Sequence, residues 1–465
     1  MGEKGGVFTK DSTNFFSVIG GPWWEHQVYT NVVNELRESV KDTDYREIWI
    51  VTSGPISTES IDSVLLELEK ANEITTSKLP NGLFQWHALN HTLKESKVVE
   101  IKNRFKLNRA SFISVSEFFH HTNSSEEMYD ARDSVRAYVE SKSENPIFCW
   151  LDSDLIFSTL IPKDGALEII QTWPWLHMVW HYWRKFPEVD VWVGDVTGDP
   201  PIPASSTIYS NLLDLTNTNN TMGSERWEIR DPAYDFSDLN EMNKPFPPIE
   251  SDWCHLTDIN EILLWGGTLF RPLVASKNIL IKPHRPWFVR GGVTVLFSKR
   301  ALNQKTPRFH YGRYALRRGD SFWVVKSKLV HGLVIKHWPF PLLHKRRSTG
   351  LNMPDLVQSF HDRYVGDLIA ACCLKSLIIS MESEIDFQVQ FRDNLIKRGA
   401  QAIDLFKRCK DLLTDLDDET FDYDRLYLNS ALEYLINTTQ QIDYYDVADN
   451  VSQQVIQFME GLIDE

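Results

Sequence analysis

Cysteine is scarce in this 465-residue chain: there are five (Cys149, Cys254, Cys372, Cys373 and Cys409), none in C-x-x-C spacing. An odd, scattered set of this kind argues against a disulfide framework and against a structural zinc site. Long apolar runs are missing as well. No stretch reaches the roughly 18 to 20 uninterrupted apolar residues of a membrane span, and the best, Leu368 to Met381, carries Lys375. The start, Met-Gly-Glu-Lys-Gly-Gly, has no apolar signal core, which predicts a cytoplasmic protein. On that expectation the five N-x-S/T triplets, the first at Asn90, are chance occurrences. The chain also lacks a Walker lysine motif, G-x-G-x-x-G, H-E-x-x-H and G-x-S-x-G. Four familiar routes to nucleotide, zinc and serine chemistry therefore have no footing.

What is present is an ordinary globular composition, 42% hydrophobic and 24% charged, with a high aromatic share of 12% that includes 16 Trp. Such content supports large cores and ring-lined pockets, and the length fits two to three domains. The net charge of −15 conceals a sharp asymmetry. From Arg271 to Arg347 there are 18 Lys and Arg against one acid, Asp320, whereas Lys410 to Glu465 holds 14 acids against two bases. A dense basic segment in an acidic chain faces an anion or an acidic partner. Nucleic acid fits poorly, because the remainder is acidic and no zinc-finger or RNP-like signature is present. A phosphorylated small molecule fits better. The alternative is a basic face packed against the acidic remainder.

Strand and helix patterns alternate up to about residue 185. Glu47 to Thr52, Leu83 to Leu89, Ser111 to Val115 and Ile147 to Leu151 read as strands. Ser57 to Asn72 and Ser125 to Lys142 read as helices. This alternation predicts an α/β fold with a mainly parallel sheet, whose ligands bind beyond the carboxyl ends of the strands. Residues 195–289, rich in Pro and Asn, read as a long insertion of loops and short helices. From about Asp355 onward the pattern is helical, a region suited to capping the core or to meeting a partner. Trp173, Trp175, Trp180 and Trp183 accompany His177 and His181. The two histidines share a helical face, and a core helix is the reading preferred to a metal pair.

The strongest chemical signal is Asp152-Ser153-Asp154, directly after the apolar strand Ile147 to Leu151. Three other D-x-D triplets, beginning at Asp42, Asp415 and Asp422, lie in polar or acidic surroundings and read as solvated. Two carboxylates at a strand's carboxyl end form a hard-oxygen site for Mg²⁺ or Mn²⁺, with positions left for water and a diphosphate.

The order of motifs resembles that of GT-A-fold, nucleotide-sugar-dependent glycosyltransferases of the D-x-D type, over roughly residues 45–347. Thr52-Ser53-Gly54 is similar to the first nucleotide-contacting strand end, and Ala131-Arg132-Asp133 to a segment whose Arg lies near the nucleotide. Leu151-Asp152-Ser153-Asp154 matches the D-x-D motif itself. Arg290-Gly291-Gly292, followed by Val293 to Phe297, is similar to the glycine-rich loop on the acceptor side. Arg318-Gly319-Asp320-Ser321 resembles the later acidic segment that faces the acceptor. Asp133 stands where Asn is commoner and Gly319 where Glu is commoner. The resemblance implies a metal shell of Asp152, Asp154 and His344, with His331 and His337 as competing choices for the histidine. It implies donor contacts from Thr52, Ser53, Gly54, Arg132, Asp152, Arg290, Gly291, Gly292 and Arg318, with Asp320 as the catalytic acid–base residue. The implied division is 1–194 for the nucleotide-binding half, 195–289 for the acceptor-side insertion, 290–350 for the rest of the catalytic core and 351–465 for the helical region.

The expectation is thus a GT-A-like mixed, mainly parallel sheet flanked by helices, which uses Mn²⁺ or Mg²⁺ to move a sugar from a nucleotide-sugar donor to an acceptor the sequence does not identify. An ionised Asp320 would orient the acceptor hydroxyl and take its proton. Two other functions compete. One is a D-x-D phosphohydrolase with Asp152 as nucleophile, although Leu155-Ile156 follows the motif where that class has Thr or Val one residue later. The other is a non-enzymatic scaffold whose basic segment docks an acidic partner.

Overall fold

The apolar run entered by Pro146 becomes the strand on which the main sheet turns. The computed structural model describes residues 14–19, 47–55, 74–78, 84–88, 112–120, 147–152, 155–156, 158–163, 166–171, 182–183, 185–194, 196–198, 208–209, 212, 243–245, 273–275, 294–302, 305–344, 353–383, 385–414 and 425–461. The strands of the first part are β1 (Asn14–Ile19), β2 (Glu47–Pro55), β3 (Ile74–Lys78), β4 (Phe84–Ala88), β5 (Phe112–His120), β6 (Ile147–Asp152), β7 (Leu155–Ile156), β8 (Ser158–Lys163) and β9 (Ala166–Gln171). They are followed by β10 (Val191–Val193), β11 (Val196–Gly198), β12 (Asn243–Pro245), β13 (Leu273–Ala275) and β14 (Thr294–Phe297). After α1 (Lys299–Leu302) come the hairpin strands β15 (Phe309–Tyr311) and β16 (Tyr314–Leu316), then α2 (Gly319–Leu329), β17 (Ile335–His337) and β18 (Leu342–His344). Four helices close the chain: α3 (Met353–Glu382), α4 (Phe387–Thr414), α5 (Arg425–Gln440) and α6 (Tyr444–Met459).

The result is a mixed α/β structure. Nine strands form one sheet in the order β17-β10-β14-β6-β1-β2-β5-β4-β3. β6, β1, β2 and β5 are mutually parallel, while β14 runs antiparallel between β6 and β10. The chain leaves β1 toward β2 and later returns on its other side at β6. The strand order therefore reverses between β1 and β6, where open α/β sheets bind ligands beyond their carboxyl ends. A second, five-stranded sheet has the order β12-β13-β11-β18-β7.

Strands expected at 47–52, 83–89, 111–115, 147–151 and 293–297 are present, with β2 and β5 longer than the sequence pattern showed. The helices expected at 57–72 and 125–142 lie outside the described residues. The segment 195–289 is not made of loops and short helices alone: its described parts include β11, β12 and β13, each three residues long and therefore without a readable period. The tryptophan-rich stretch ends in core. Trp183 and Trp192 are fully buried, and Tyr182, Trp192 and Trp338 meet edge-to-face at 5.3–5.8 Å. His177 and His181 lie outside the described residues.

In α3 the stretch Phe360–Met381 is long and apolar enough to cross a membrane, yet 72% of it is buried inside the chain. It is the central helix of a core shared by α3–α6, the β15–β16 hairpin and α2, through Phe309, Leu316, Phe322 and Val325. Cys372, Cys373 and Cys409 are buried in this helical region as thiols outside any disulfide, and burial pushes the Cys373 and Cys409 thiols well up.

Charge joins the two parts. Arg313 pairs with Asp362 at 3.2 Å and Arg317 with the fully buried Asp367 at 3.9 Å. The Tyr311 hydroxyl donates to Asp446 at 2.7 Å. Gln454 Oε1 accepts from the His310 N–H at 3.1 Å, and its Nε2 donates to the His310 carbonyl at 2.8 Å, so one side chain occupies the place of a neighbouring strand. Lys326 lies over the Phe458 ring at 4.2 Å. Part of the basic segment therefore does pack against the acidic helices.

This seam has a pH signature. Burial first, then the hydrogen bond to Asp446 and the charges of Asp446 and Asp443, push the Tyr311 hydroxyl up to about 12. An unfolded tyrosine ionises near about 10. The stabilisation is therefore whole below that value and is lost as pH rises through about 12. Tyr311→Phe is expected to cost about 1 kcal/mol at neutral pH and to flatten the loss of stability across that alkaline window. Parallel alkaline melting profiles for parent and variant would refute the seam.

Candidate functional site

β6 ends at Asp152, whose partner on β1 is Ile19; Ile19 is paired in turn with Ser53 of β2. Thr52, Ser53 and Gly54 therefore share the carboxyl edge with Asp152, two strand spacings or about 9 to 10 Å away. On the other flank, β14 begins at Thr294 opposite Leu151. Arg132, Asp154, Arg290, Gly291 and Gly292 lie outside the described residues.

The second sheet brings the histidine to the same place. After Asp152 the chain resumes as β7, and β7 pairs antiparallel with β18, Leu155 opposite His344 and Ile156 opposite Leu343. His344 thus faces the residue that directly follows Asp154 in sequence. It is buried and is flanked on its other side by Gly198 of β11, a residue at φ 87° that suits glycine. β11 is anchored by Thr197, whose hydroxyl accepts from the Leu160 N–H at 3.0 Å.

The competing histidines are elsewhere. His337 is buried at the end of β17, three strands from β6, and His331 is exposed in the turn after α2. Register and burial place the three histidines in different parts of the structure. Among the described residues no group of three or more His, Cys, Asp or Glu is gathered as a metal site.

Asp320 and Arg318 lie at the start of α2. Arg318 has φ 72°, the positive-φ non-glycine residue of the described chain; this left-handed geometry costs energy and clusters at functional sites. Asp320 is half-buried, and its Oδ1 accepts from the Ser321 N–H at 2.9 Å. Trp323, one turn later, packs edge-to-face on Phe297 of β14 at 5.1 Å, which ties α2 to the main sheet.

Arg317, the neighbour of Arg318 in the basic segment, reaches Asp367 on α3. Sequence reasoning missed this latch and the close approach beside it: a Cβ on Gly366 would lie 2.2 Å from the Ala315 carbonyl oxygen. A readable signal existed, since Gly366 is the single glycine of a 30-residue helix.

No protein-family model and no curated protein matches the chain. Among solved structures, the crystal structure of S. aureus TarS 1-349 is similar over 96% of this chain and 92% of that chain, at 12% identity and a TM-score of 0.34. At that score neither fold nor activity carries over, and the site is read from this chain's own register.

Proposed function

We propose that this chain is a metal-dependent glycosyltransferase with a GT-A-like core, which moves a sugar from a nucleotide-sugar donor to an acceptor hydroxyl. The observation that carries the reading is the pairing of His344 with Leu155. It sets an imidazole-bearing residue against the strand that follows a D-x-D triplet, at the carboxyl end of β6 and beside the reversal of strand order.

The donor set suits the ion. Two carboxylates and one imidazole are oxygen and nitrogen ligands that Mn²⁺ and Mg²⁺ accept, and three protein ligands leave room for water and phosphate oxygens. Asp152, Asp154 and His344 would hold it. When bound, the ion would offset negative charge on the departing nucleoside diphosphate. Thr52, Ser53 and Gly54 would line the nucleotide end of the cleft, with Arg132. Arg290 and Arg318 would face the diphosphate, and Gly291-Gly292 would allow backbone approach to the donor. Asp320 would orient the acceptor hydroxyl and take its proton as the new bond forms; acting as a true base, it implies direct displacement with inversion.

The test is a thermal-shift panel of nucleoside diphosphates and nucleotide sugars with and without Mn²⁺, run on the parent and on Asp154→Ala. The parent should be stabilised only when both are present. Asp154→Ala should melt like the unliganded parent and lose that response. A full Mn²⁺-dependent stabilisation in the variant would overturn the site.

A further inference from the structure

Nine large apolar side chains are exposed among the described residues, and all but Ile169 fall into two groups. The first is on the helical region. Met381, Ile385 and Val389 run from the end of α3 into α4, while Tyr445 and Ile456 lie on α6, each 42–61% exposed. Cross-contacts join the α4 and α6 members on one side of the region. Gln388 donates to Asp449 at 2.6 Å, and Arg392 lies over the Tyr445 ring at 5.8 Å. As α4 numbers rise, α6 numbers fall, so the two helices run antiparallel along this side of the region. On α6, Tyr445, Asp449 and Ile456 recur at helical spacing. The rim is acidic: Asp386, Asp393, Asp443, Asp446 and Asp449 are exposed. Arg392 lies among them, paired with Asp393 at 3.3 Å.

The second group is Leu329, Val330 and Val334, where α2 turns into β17. Among the described residues, β17 is the last strand on that side of the nine-stranded sheet. Here the rim is basic. Arg300 is exposed and bound to Asp190, the same carboxylate that accepts from the Val334 N–H. Lys336 and Lys185 lie over the Phe186 ring, and Lys328 and Lys299 complete the set. The exposed acid nearby, Glu188, is paired with Lys336 at 2.9 Å.

We propose that this chain self-associates head to tail, the acidic-rimmed face of α4 and α6 in one copy seating on the basic-rimmed α2–β17 corner of another. Clustered exposed apolar side chains with a polar rim mark interaction sites, and opposite rim charges set orientation and exclude like-on-like pairing. Both halves of the match belong to one chain, which is why the occupant is a second copy. Because the two surfaces differ, the contact is heterologous and either closes into a ring or continues as a chain of copies. The inference is independent of the proposed activity.

The experiment is analytical ultracentrifugation of the full chain over a concentration series, at low salt and at about 1 M salt, where the Debye length is about 3 Å. Association is expected at low salt, with a dissociation constant at least about tenfold larger at high salt. Ile385→Lys and Val330→Asp, both at exposed positions, should each be monomeric with parental melting curves. Their equimolar mixture should associate again, because each variant keeps one intact half. A monomeric parent, an effect from only one of the two variants, or a mixture that stays monomeric would each overturn the proposal.

Discussion

On the proposed mechanism, Asp320→Asn is expected to lower sugar transfer by about 10² to 10⁴-fold while leaving donor binding intact. Asp320 occupies the first turn of α2, and its Oδ1 accepts the Ser321 N–H. The asparagine amide oxygen preserves that bond and the side-chain volume. What disappears is the negative charge and the capacity to take a proton. A loss confined to turnover marks an interaction made mainly in the transition state. Removing a carboxylate from a helix amino terminus costs only about 0.3 to 1 kcal/mol, so the melting curve should move little. The competing view makes Asp320 the counter-ion of Arg317 or Arg318 and predicts a loss of about 3 to 5 kcal/mol. That view is weakened by Arg317, which already reaches Asp367. A melting curve and a transfer rate on one protein separate the two. A variant normal in both would remove Asp320 from the mechanism.

Gly366→Ala is expected to destabilise the fold by about 3 kcal/mol, at the upper end of ordinary overpacking costs. In a typical helix interior the same change gains about 1 kcal/mol, so the sign of the effect is itself diagnostic. The added Cβ would lie 2.2 Å from the Ala315 carbonyl oxygen and 3.2 Å from its carbon. Both are backbone atoms of β16 and cannot rotate aside. Either α3 bends or the hairpin retreats, and retreat would loosen Arg317 from Asp367. Gly399 provides the control. A Cβ there meets the Tyr444 ring at 2.4 Å, but a side chain can swing, so Gly399→Ala should cost less. Denaturant midpoints for the two variants decide the matter. A Gly366→Ala protein as stable as the parent would mean that α3 and β16 do not approach as described.

The sheet was largely legible from sequence because its strands carry their own signals. Ile147 to Leu151 is a continuous apolar run ending at a carboxylate, and it forms β6 with Asp152 at its end. His344 could be put forward but not ranked above His331 and His337, since which histidine lies beside β7 depends on strand pairing. The seam was not legible. Tyr311 and Asp446 are separated by 135 residues, and His310 and Gln454 by 144. Single pairs over such spans leave no periodic trace. The charge asymmetry announced that the basic segment has an anionic counterpart, but net charge carries no address. It could not say that Arg313 and Arg317 would spend themselves on Asp362 and Asp367.

The Gln454 clamp on His310 also sets a timetable for synthesis. The β15–β16 hairpin leaves the ribosome 144 residues before the side chain that covers its edge. At about 5 to 20 residues per second, that interval is roughly 7 to 30 s. During it, Phe309 and the open edge of β15 have none of their α6 partners, Phe458 and Gln454. An uncovered strand edge beside apolar rings is a template for wrong pairing. The nascent chain therefore passes through a window in which a chaperone holding residues 305–320 would be most valuable, and synthesis stalled before α6 should yield aggregates rather than a smaller folded protein.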